Sequence, residues 1–322
     1  MFTLISRPLG TLERYVIRHE SGSELEILAG WGAGLNAWRI QTAEGHTQNL
    51  LYGYTEEESF RKIQADTSAG VRLSPFPGRT RNAEWTWGGV KYTLDNNVSW
   101  APHALHGLLH VKPWKLDSFS ADSEQASLKL TRSWYGEHRG FPFPYRATTT
   151  FLFTKSSFSV ISETENCGST SMPYAEGWHP YFSLGKPIDE LSLLLPPVKK
   201  TIVDQADIPT GSYSPESRFS KGRLIEDEFI NDCFVLENSG NMAVSELSDP
   251  KTLRKISVWQ QSGEEQWNCL QVYTPPDRKS LAIEPMTAEP DVLNHHRGLI
   301  EIPVRGKIEL RWGAQYTEES EN

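Results

Sequence analysis

Two positions in the sequence pair an ionisable side chain with a following proline, and together they could support acid–base chemistry. His179 lies in the aromatic-rich segment 176–182 and precedes Pro180, and Glu284 precedes Pro285. A residue before proline is restricted to extended backbone, so we expect both side chains to be held rigidly. An imidazole and a carboxylate can exchange protons near neutral pH, and an aromatic wall suits a sugar, whose apolar faces stack on rings. Taken alone, a packed core histidine and a strand-end carboxylate remain the simpler alternatives.

Three regularly spaced histidines raise the alternative of a metal site. His103, His106 and His110 would share one face of a helix and could then bind a metal ion. Pro102 and Gly107 disfavour a helix there, and on an extended strand His103 and His106 would point to opposite faces. We therefore treat a metal site as the minor alternative. We predict no metal ion and, since no nucleotide-binding glycine motif occurs, no cofactor.

The composition argues against several classes of partner. The chain of 322 residues has a net charge of −9, whereas nucleic acids and anionic membranes attract basic surfaces. No apolar run approaches the roughly 20 residues of a membrane-spanning helix, and Arg7 and Arg14 interrupt any apolar region of a signal peptide. The three cysteines are far apart and odd in number, which indicates neither a disulfide framework nor a zinc site. We expect a cytoplasmic protein, monomeric or homodimeric, without nucleic-acid or membrane partners.

Alternation of apolar and polar residues with a period of two dominates the chain and predicts β-strands. Such runs, or runs of β-branched and aromatic residues, lie at residues 24–27, 36–40, 90–94, 147–153, 158–161, 191–195, 256–259, 269–273, 281–284 and 308–312. Trp85 and Trp87 precede Gly88-Gly89, which is typical of a hairpin turn. Many short strands separated by Gly, Pro and Asn turns predict an all-β fold, a large antiparallel β-sandwich with few short helices.

Helical and disordered segments are expected to be short. Thr55 and Glu58 form a capping-box pattern ahead of Phe60, which predicts one or two helical turns. No repeat and no low-complexity linker occurs, so we predict a single domain over residues 1–322. The polar, acidic tail at residues 317–322 is expected to be disordered.

Several short motifs follow one another along the chain. They are Pro77-Gly78-Arg79, Asn96-Asn97, Leu105-His106-Gly107, Trp114, His179-Pro180-Tyr181-Phe182, Asn231-Asp232-Cys233-Phe234, Tyr273, Glu284-Pro285 and Asn294. In this order they resemble the aldose 1-epimerase (galactose mutarotase) family over most of the chain. Leu108 departs from a second glycine that the family often has, and Met286 follows Glu-Pro at a position that varies. These departures concern the substrate more than the reaction.

The resemblance implies a large single-domain antiparallel β-sandwich of the galactose mutarotase type, with a sugar lying across a concave sheet. It implies that Glu284 is the base and His179 the acid that open the sugar ring at C1, so that α and β anomers interconvert. The substrate-binding side chains that it implies are the hydrogen-bonding His106, Arg79 and Asp232 and the aromatic Tyr273.

Three further substrate-binding residues are predicted beside those motifs. Trp178 would add to the aromatic wall, although core packing is its simpler role. His103 would line the pocket or orient His106. Arg81 is a rival of Arg79 for holding the sugar, since on an alternating strand the two would share a face.

The predicted function is therefore a cofactor-free aldose 1-epimerase acting on a small sugar, a hexose or a related aldose. The alternatives are a hexose-6-phosphate 1-epimerase and a non-catalytic carbohydrate-binding β-sandwich. Phosphate-specific relatives carry a His-Gly-Phe-Ala-Arg run where this chain has His106-Gly107-Leu108-Leu109-His110, so their arginine is missing. A clamp of Arg79 and Arg81 would favour the phosphate, whereas the missing arginine and the acidic chain favour a neutral aldose.

Overall fold

Two large antiparallel sheets form most of the protein in a computed structural model, which describes residues 1–58, 60, 68–237 and 242–318. The strands are β1 (Phe2–Ser6), β2 (Tyr15–His19), β3 (Glu24–Leu28), β4 (Gly34–Gln41), β5 (Thr47–Asn49), β6 (Arg72–Leu73), β7 (Arg79–Thr80), β8 (Glu84–Trp87), β9 (Val90–Thr93), β10 (Ala104–Leu105), β11 (Lys115–Ala121), β12 (Ala126–Trp134), β13 (Tyr145–Phe153), β14 (Ser157–Asn166), β15 (Met172–Tyr174), β16 (Gly177–Trp178), β17 (Tyr181–Phe182), β18 (Ser192–Leu194), β19 (Val198–Val203), β20 (Pro209–Pro215), β21 (Arg223–Leu224), β22 (Asn231–Leu236), β23 (Ala243–Asp249), β24 (Arg254–Gln260), β25 (Cys269–Tyr273), β26 (Leu281–Met286), β27 (Ile300–Ile302) and β28 (Lys307–Glu318). Helical elements among the described residues include two 3₁₀ turns, Arg81–Ala83 and Ile188–Glu190, and the short helix α1 (Val292–His295).

The strands form two large sheets, which pack against each other as a sandwich. The first large sheet runs β11-β12-β13-β14-β28-β24-β23-β18-β21, and the second runs β20-β19-β22-β25-β26-β16-β6, with β17 also paired to β26. Neighbouring strands in both sheets are antiparallel. Strands β1 to β5 form a further five-stranded sheet. The predicted all-β, antiparallel sandwich with few short helices is confirmed.

Aromatic side chains join the two large sheets. The Trp178 ring of β16 lies edge-on to Phe151 of β13, with centroids 6.0 Å apart, and its centroid is 5.6 Å from that of Trp312 of β28. All three side chains are fully buried. Burying one large apolar side chain stabilises a fold by about 1.5–3 kcal/mol, so this layer holds the second sheet against the first.

A buried ion pair fixes the strands that lead to His179. Arg72 of β6 donates from Nη2 to Glu176 Oε2 at 2.8 Å, and neither side chain is exposed. The other terminal nitrogen of Arg72 donates to the Thr148 carbonyl and to Thr149 Oγ1 of the first sheet. Breaking a buried pair costs about 3–5 kcal/mol because one charge is left uncompensated. The pair thus fixes the Arg72 side chain, whose bonds to Thr148 and Thr149 tie β6, and β16 beside it, to the opposite sheet.

The helix predicted after Thr55 falls partly outside the described residues, which omit 59 and 61–67. Within the described part, the Phe60 N–H donates to the Glu56 carbonyl at 3.1 Å, as in a helical turn. The prediction of a disordered tail from residue 317 is wrong for Thr317 and Glu318, which belong to β28. The backbone of both pairs with β24, and Glu318 Oε1 accepts from Arg254 Nε at 2.8 Å. Residues 319–322 lie outside the described residues.

No helix in the described ranges is long and apolar enough to cross a membrane.

Candidate active site

His179 and Glu284 lie side by side, with 3.5 Å between His179 Nε2 and Glu284 Oε1. The backbone of His179 is held on both sides, because its N–H donates to the Val71 carbonyl at 3.2 Å and its carbonyl accepts from the Gly70 N–H at 2.8 Å. Glu284 lies within β26, opposite Gln271 of β25. The two residues are only 7% and 2% exposed. The fold thus places together two groups that are far apart in sequence.

Strand alternation explains why Glu284 points away from the core. On β26, Leu281 and Ile283 belong to the main hydrophobic core, while Glu284 and Met286 lie on the opposite face. On the adjacent strand β25, Tyr273 lies on that same outer face and lines the same cavity. The period of two therefore gives this sheet one apolar face for the core and one mixed face for a ligand.

A cavity of about 450 Å³ opens over this mixed face. It lies within the range of about 300–1,000 Å³ that is usual for small-molecule sites. Its lining combines aromatic rings with hydrogen-bonding groups, which suits a sugar. The predicted site residues that line it are Arg79, His106, His179, Tyr273 and Glu284.

His106 lies beside His179, with ring centroids 5.3 Å apart. Its backbone φ is +63°, and its N–H donates to the Gly78 carbonyl at 2.9 Å. Gly107 has a φ of +74°, and a Cβ there would lie 2.4 Å from the Ser74 carbonyl oxygen, so the turn requires glycine. Nδ1 of His106 is buried without a hydrogen-bond partner among the described residues.

Arg79 reaches the cavity from β7. Its Nη2 donates to Asp207 Oδ2 at 3.0 Å, and its Cζ lies 5.2 Å from the ring centroid of Trp100. Burial lowers the pKa of the guanidinium, while the Asp207 and Glu284 carboxylates raise it. An arginine remains protonated in proteins, so Arg79 places a positive charge near Glu284. Its Nε is buried and has no partner in the described part of the chain.

Burial sets the protonation of the site. It raises the pKa of Glu284 well above 4.5, opposed by the positive charge of Arg79. It lowers the pKa of His179 to about 3, opposed by a hydrogen bond to the residue's own backbone. Burial, and then the His179 side chain, lower the pKa of His106 well below 6.5. Both imidazoles are therefore uncharged at neutral pH, and Glu284 is the group of the three whose pKa is moved towards neutrality.

The structure does not bring Asp232 to the cavity. On β22 it lies on the same face as Phe234, which packs in the main core, and its carboxylate pairs with Lys200 at 2.7 Å and with Arg218 at 3.0 Å. The neighbouring Asn231 faces the other way and lines the cavity. A shift of one residue along a strand changes the face, so the motif supplies the asparagine instead of the aspartate.

Arg81 also lies outside the cavity lining. The strand that carries Arg79 ends at Thr80, and the 3₁₀ turn Arg81–Ala83 replaces the alternation that would have put both arginines on one face. The Arg81 guanidinium pairs instead with Asp204. The two-arginine clamp that would have favoured a phosphate is therefore not formed.

His103 and Trp178 contact the protein itself. The Nδ1 of His103 accepts from the Asn82 backbone N–H at 3.1 Å, and the residue is buried. The Trp178 indole N–H donates to Ser162 Oγ and to Glu176 Oε1, each at 3.2 Å, inside the core. Neither residue lies in the cavity lining, so for Trp178 the simpler role of core packing is the one observed.

Several cavity residues were missed by the sequence analysis. Tyr181 and Gln271 each lie two residues from a predicted site residue in an extended segment, so alternation alone would have placed them on the same face. Asp207, Trp100 and Phe229 come from loops, where no spacing predicts the direction of a side chain.

No group of three or more His, Cys, Asp or Glu side chains that could hold a metal ion occurs within residues 1–58, 60, 68–237 and 242–318. The three regularly spaced histidines occupy different surroundings. His103 accepts from a backbone N–H, His106 lines the cavity, and His110 lies in a second, smaller pocket that borders it.

Two facing antiparallel sheets, with a cavity over one of them and the buried His179 and Glu284 side chains beside it, define a β-sandwich protein of the galactose mutarotase type. The chain belongs to the aldose 1-epimerase family, whose sequence profile matches residues 13–321.

Relatives cover nearly the whole chain. A maltose epimerase of Levilactobacillus brevis is 24% identical over 95% of this chain and 95% of its own. The structure of a galactose mutarotase-like protein of Clostridium acetobutylicum superposes with a TM-score of 0.84 at 16% identity, covering 100% of this chain and 99% of the other. The structure of galactose 1-epimerase of Lactobacillus acidophilus superposes with a TM-score of 0.80 at 17% identity, and the superposition covers 99% of each chain. These structural similarities support the fold.

Proposed function

We propose that the protein is an aldose 1-epimerase that interconverts the α and β anomers of a hexose or a related aldose. The observation that carries this proposal is the separation of 3.5 Å between His179 Nε2 and Glu284 Oε1 at a cavity of about 450 Å³. Anomer exchange needs one group to remove a proton from the sugar and one to deliver a proton, and this site holds both kinds of group.

Ring opening uses the two groups in opposite senses. The Glu284 carboxylate takes the proton from the C1 hydroxyl, and the oxygen becomes the carbonyl of the open-chain aldose. The C1–O5 bond breaks, its electron pair goes to O5, and His179 gives O5 a proton. His106 and Arg79 line the same cavity, where their side chains can hold the sugar during these transfers.

Ring closure reverses each transfer after rotation about the C1–C2 bond. The hydroxyl oxygen O5 attacks the other face of the C1 carbonyl and returns its proton to His179, while Glu284 gives a proton to the new C1 hydroxyl. The enzyme regains its starting protonation state. No electrons are transferred to or from the protein, so the cycle needs no external oxidant or reductant.

The mechanism requires that the His179–Glu284 pair hold one proton in total. A carboxylate with an imidazolium and a carboxylic acid with a neutral imidazole are two forms of this same state. Burial favours the form in which both side chains are uncharged. A sugar hydroxyl bound between the groups, together with the positive charge of Arg79, favours the ionised form of Glu284 in which it can act as a base.

This requirement predicts a bell-shaped dependence of kcat/KM on pH. Activity should fall as the pH drops through about 3, because protonation of His179 then gives the His179–Glu284 pair two protons instead of one. It should also fall as the pH rises through the pKa of Glu284, well above 4.5, where the pair loses its proton. The rates are measured by exchange NMR after subtraction of the spontaneous reaction, with circular dichroism to confirm folding at each pH. Activity that instead increased through the pKa of Glu284 and then stayed constant would show that His179 supplies no proton.

The proposed function is tested by two-dimensional exchange NMR on free aldoses. Catalytic amounts of the protein should increase the rate of α–β exchange for at least one neutral sugar. The alternative of a non-catalytic carbohydrate-binding protein predicts that sugars bind while the exchange rate stays at its spontaneous value. The paired acid and base argue against that alternative, because binding alone needs no proton transfer.

The cavity favours a neutral sugar over a sugar phosphate. Among the described residues that line it, the charged groups are Arg79, Asp207 and Glu284, and Asp207 already pairs with the arginine. A phosphate carries close to two negative charges and is usually held by more than one cation. With Arg81 directed to Asp204, the site lacks the second arginine of a clamp.

We therefore expect kcat/KM for glucose or galactose to exceed that for glucose 6-phosphate by about 10-fold or more, because one paired arginine offsets little of the phosphate charge. The measurement compares the sugars at one fixed ionic strength. Arg79→Lys serves as a check, since it keeps the charge but removes the guanidinium fork. A preference for the phosphate that is lost in this variant would overturn the expectation and leave the acid–base assignment intact.

A further inference from the structure

Two large aromatic side chains protrude at the mouth of the cavity. Trp100 is 57% exposed and Phe229 is 67% exposed, yet both line the cavity. Each contacts a residue that lies deeper. Trp100 lies under the Arg79 guanidinium, and Phe229 meets Tyr273 edge-on with ring centroids 6.3 Å apart. Exposed rings that border a cavity are typical of a binding surface.

The deep end of the cavity already has its own aromatic wall. The Tyr181 ring is stacked on that of His179, with centroids 4.9 Å apart and planes 15° from parallel, and Tyr181 is buried. Tyr273 follows, with its centroid 6.4 Å from that of Tyr181, and Phe229 comes next. A sugar whose C1 reaches Glu284 would therefore contact the two tyrosines. The rings of Phe229 and Trp100 would remain for whatever extends from that sugar towards solvent.

We propose that Trp100 and Phe229 form a second sugar subsite, so that the preferred substrate is a reducing disaccharide. This inference rests on the proposed function, because it places the reducing sugar ring over the acid–base pair. The second ring would be attached through a hydroxyl remote from C1, which leaves C1 and the ring oxygen free to react. Its apolar faces would stack on the two exposed rings.

The chemistry of the mouth favours a sugar ring over a charged or purely apolar extension. The Arg79–Asp207 pair borders the same opening and offers hydrogen bonds without a net charge. A phosphate or carboxylate extension would meet the Asp207 carboxylate, and an alkyl chain would offer no further hydrogen bond to this polar pair. A second pyranose presents both hydroxyls for that pair and apolar faces for the aromatic rings.

The experiment compares maltose and cellobiose with glucose, by exchange NMR, for the wild-type protein and for Trp100→Ala and Phe229→Ala. We expect the wild-type kcat/KM to be higher for at least one disaccharide. In each variant, the ratio of kcat/KM for that disaccharide to kcat/KM for glucose should fall about 10-fold, and Trp100→Phe should restore most of it. Tyr135→Ala is the matched control, because Tyr135 is 76% exposed and outside the cavity lining.

The outcomes separate the subsite from the reaction. Equal losses for glucose and the disaccharides, or exchange of glucose without exchange of either disaccharide, would overturn the subsite and leave the proposed function standing. If no sugar is exchanged, the proposed function fails, and calorimetry then tests the subsite by itself. Tighter binding of a disaccharide than of glucose, lost in Trp100→Ala, would support it. Equal binding, or no binding, would overturn it.

Discussion

Glu284→Gln is expected to lower kcat for anomer exchange by about 10²-fold or more, with little change in KM. Glutamine keeps the size of the side chain and can still hydrogen-bond a sugar, but it cannot accept the C1 hydroxyl proton. The contribution of a well-placed general base is typically about 10²–10⁴-fold in rate, and a loss in kcat alone marks an interaction made in the transition state. Exchange NMR at saturating sugar gives kcat directly.

The same variant should become more stable relative to the wild type as the pH rises. The pKa of Glu284 is raised in the folded protein, so between 4.5 and that higher pKa the unfolded chain loses the proton first. Wild-type stability therefore decreases with rising pH across this window, and a glutamine, which does not ionise, removes the decrease. Thermal unfolding at several pH values measures the difference. Glu301→Gln, an exposed change, is the control, and near-normal kcat in a folded Glu284→Gln protein would exclude Glu284 as the base.

His179→Asn is expected to reduce kcat by a comparable factor, on the order of 10²-fold or more. Asparagine can occupy the space and hydrogen-bond, but it cannot deliver a proton to the ring oxygen. Because the acid and base act on one substrate in one step, the double variant with Glu284→Gln should be only slightly slower than the slower single variant. Single and double variants are compared by exchange NMR at one pH between 7 and 8, where the His179 imidazole of the free protein is uncharged.

The matched control for this change is His46→Asn, since His46 is exposed on the protein surface. Its kcat should equal that of the wild type. His110 is less suitable because it is buried beside His106, so its replacement would disturb the cavity indirectly. If His179→Asn retained most of the wild-type kcat, or if the double variant lost the full product of the two single effects, the two residues would not form one acid–base pair.

The local sequence determined the features that depend on neighbouring residues. Period-two alternation predicted the strands because successive side chains of a strand point to opposite faces. The prolines after His179 and Glu284 predicted extended backbone at both residues, and the structure places them on or next to strands. The order of short motifs was sufficient to predict the family, since each motif lies in one continuous stretch of chain.

The tertiary structure decided the features that depend on which face of an element meets which neighbour. Asp232 and Asn231 are equally plausible from sequence, and only the packing of Phe234 into the core shows that the asparagine faces the cavity. The 3₁₀ turn after Thr80 likewise sends Arg81 to Asp204. Such choices depend on contacts between distant segments.

The protonation of the site and the shape of its mouth also required the assembled fold. Composition contains no information on the desolvation of a single carboxyl group, yet that desolvation raises the pKa of Glu284 once two sheets and several loops enclose it. The positions of Trp100 and Phe229 are set by loops, whose direction is fixed by the elements they join and not by their own residues. The sequence by itself therefore determined the class of fold and predicted the acid–base pair, while long-range packing decided which other side chains line the cavity.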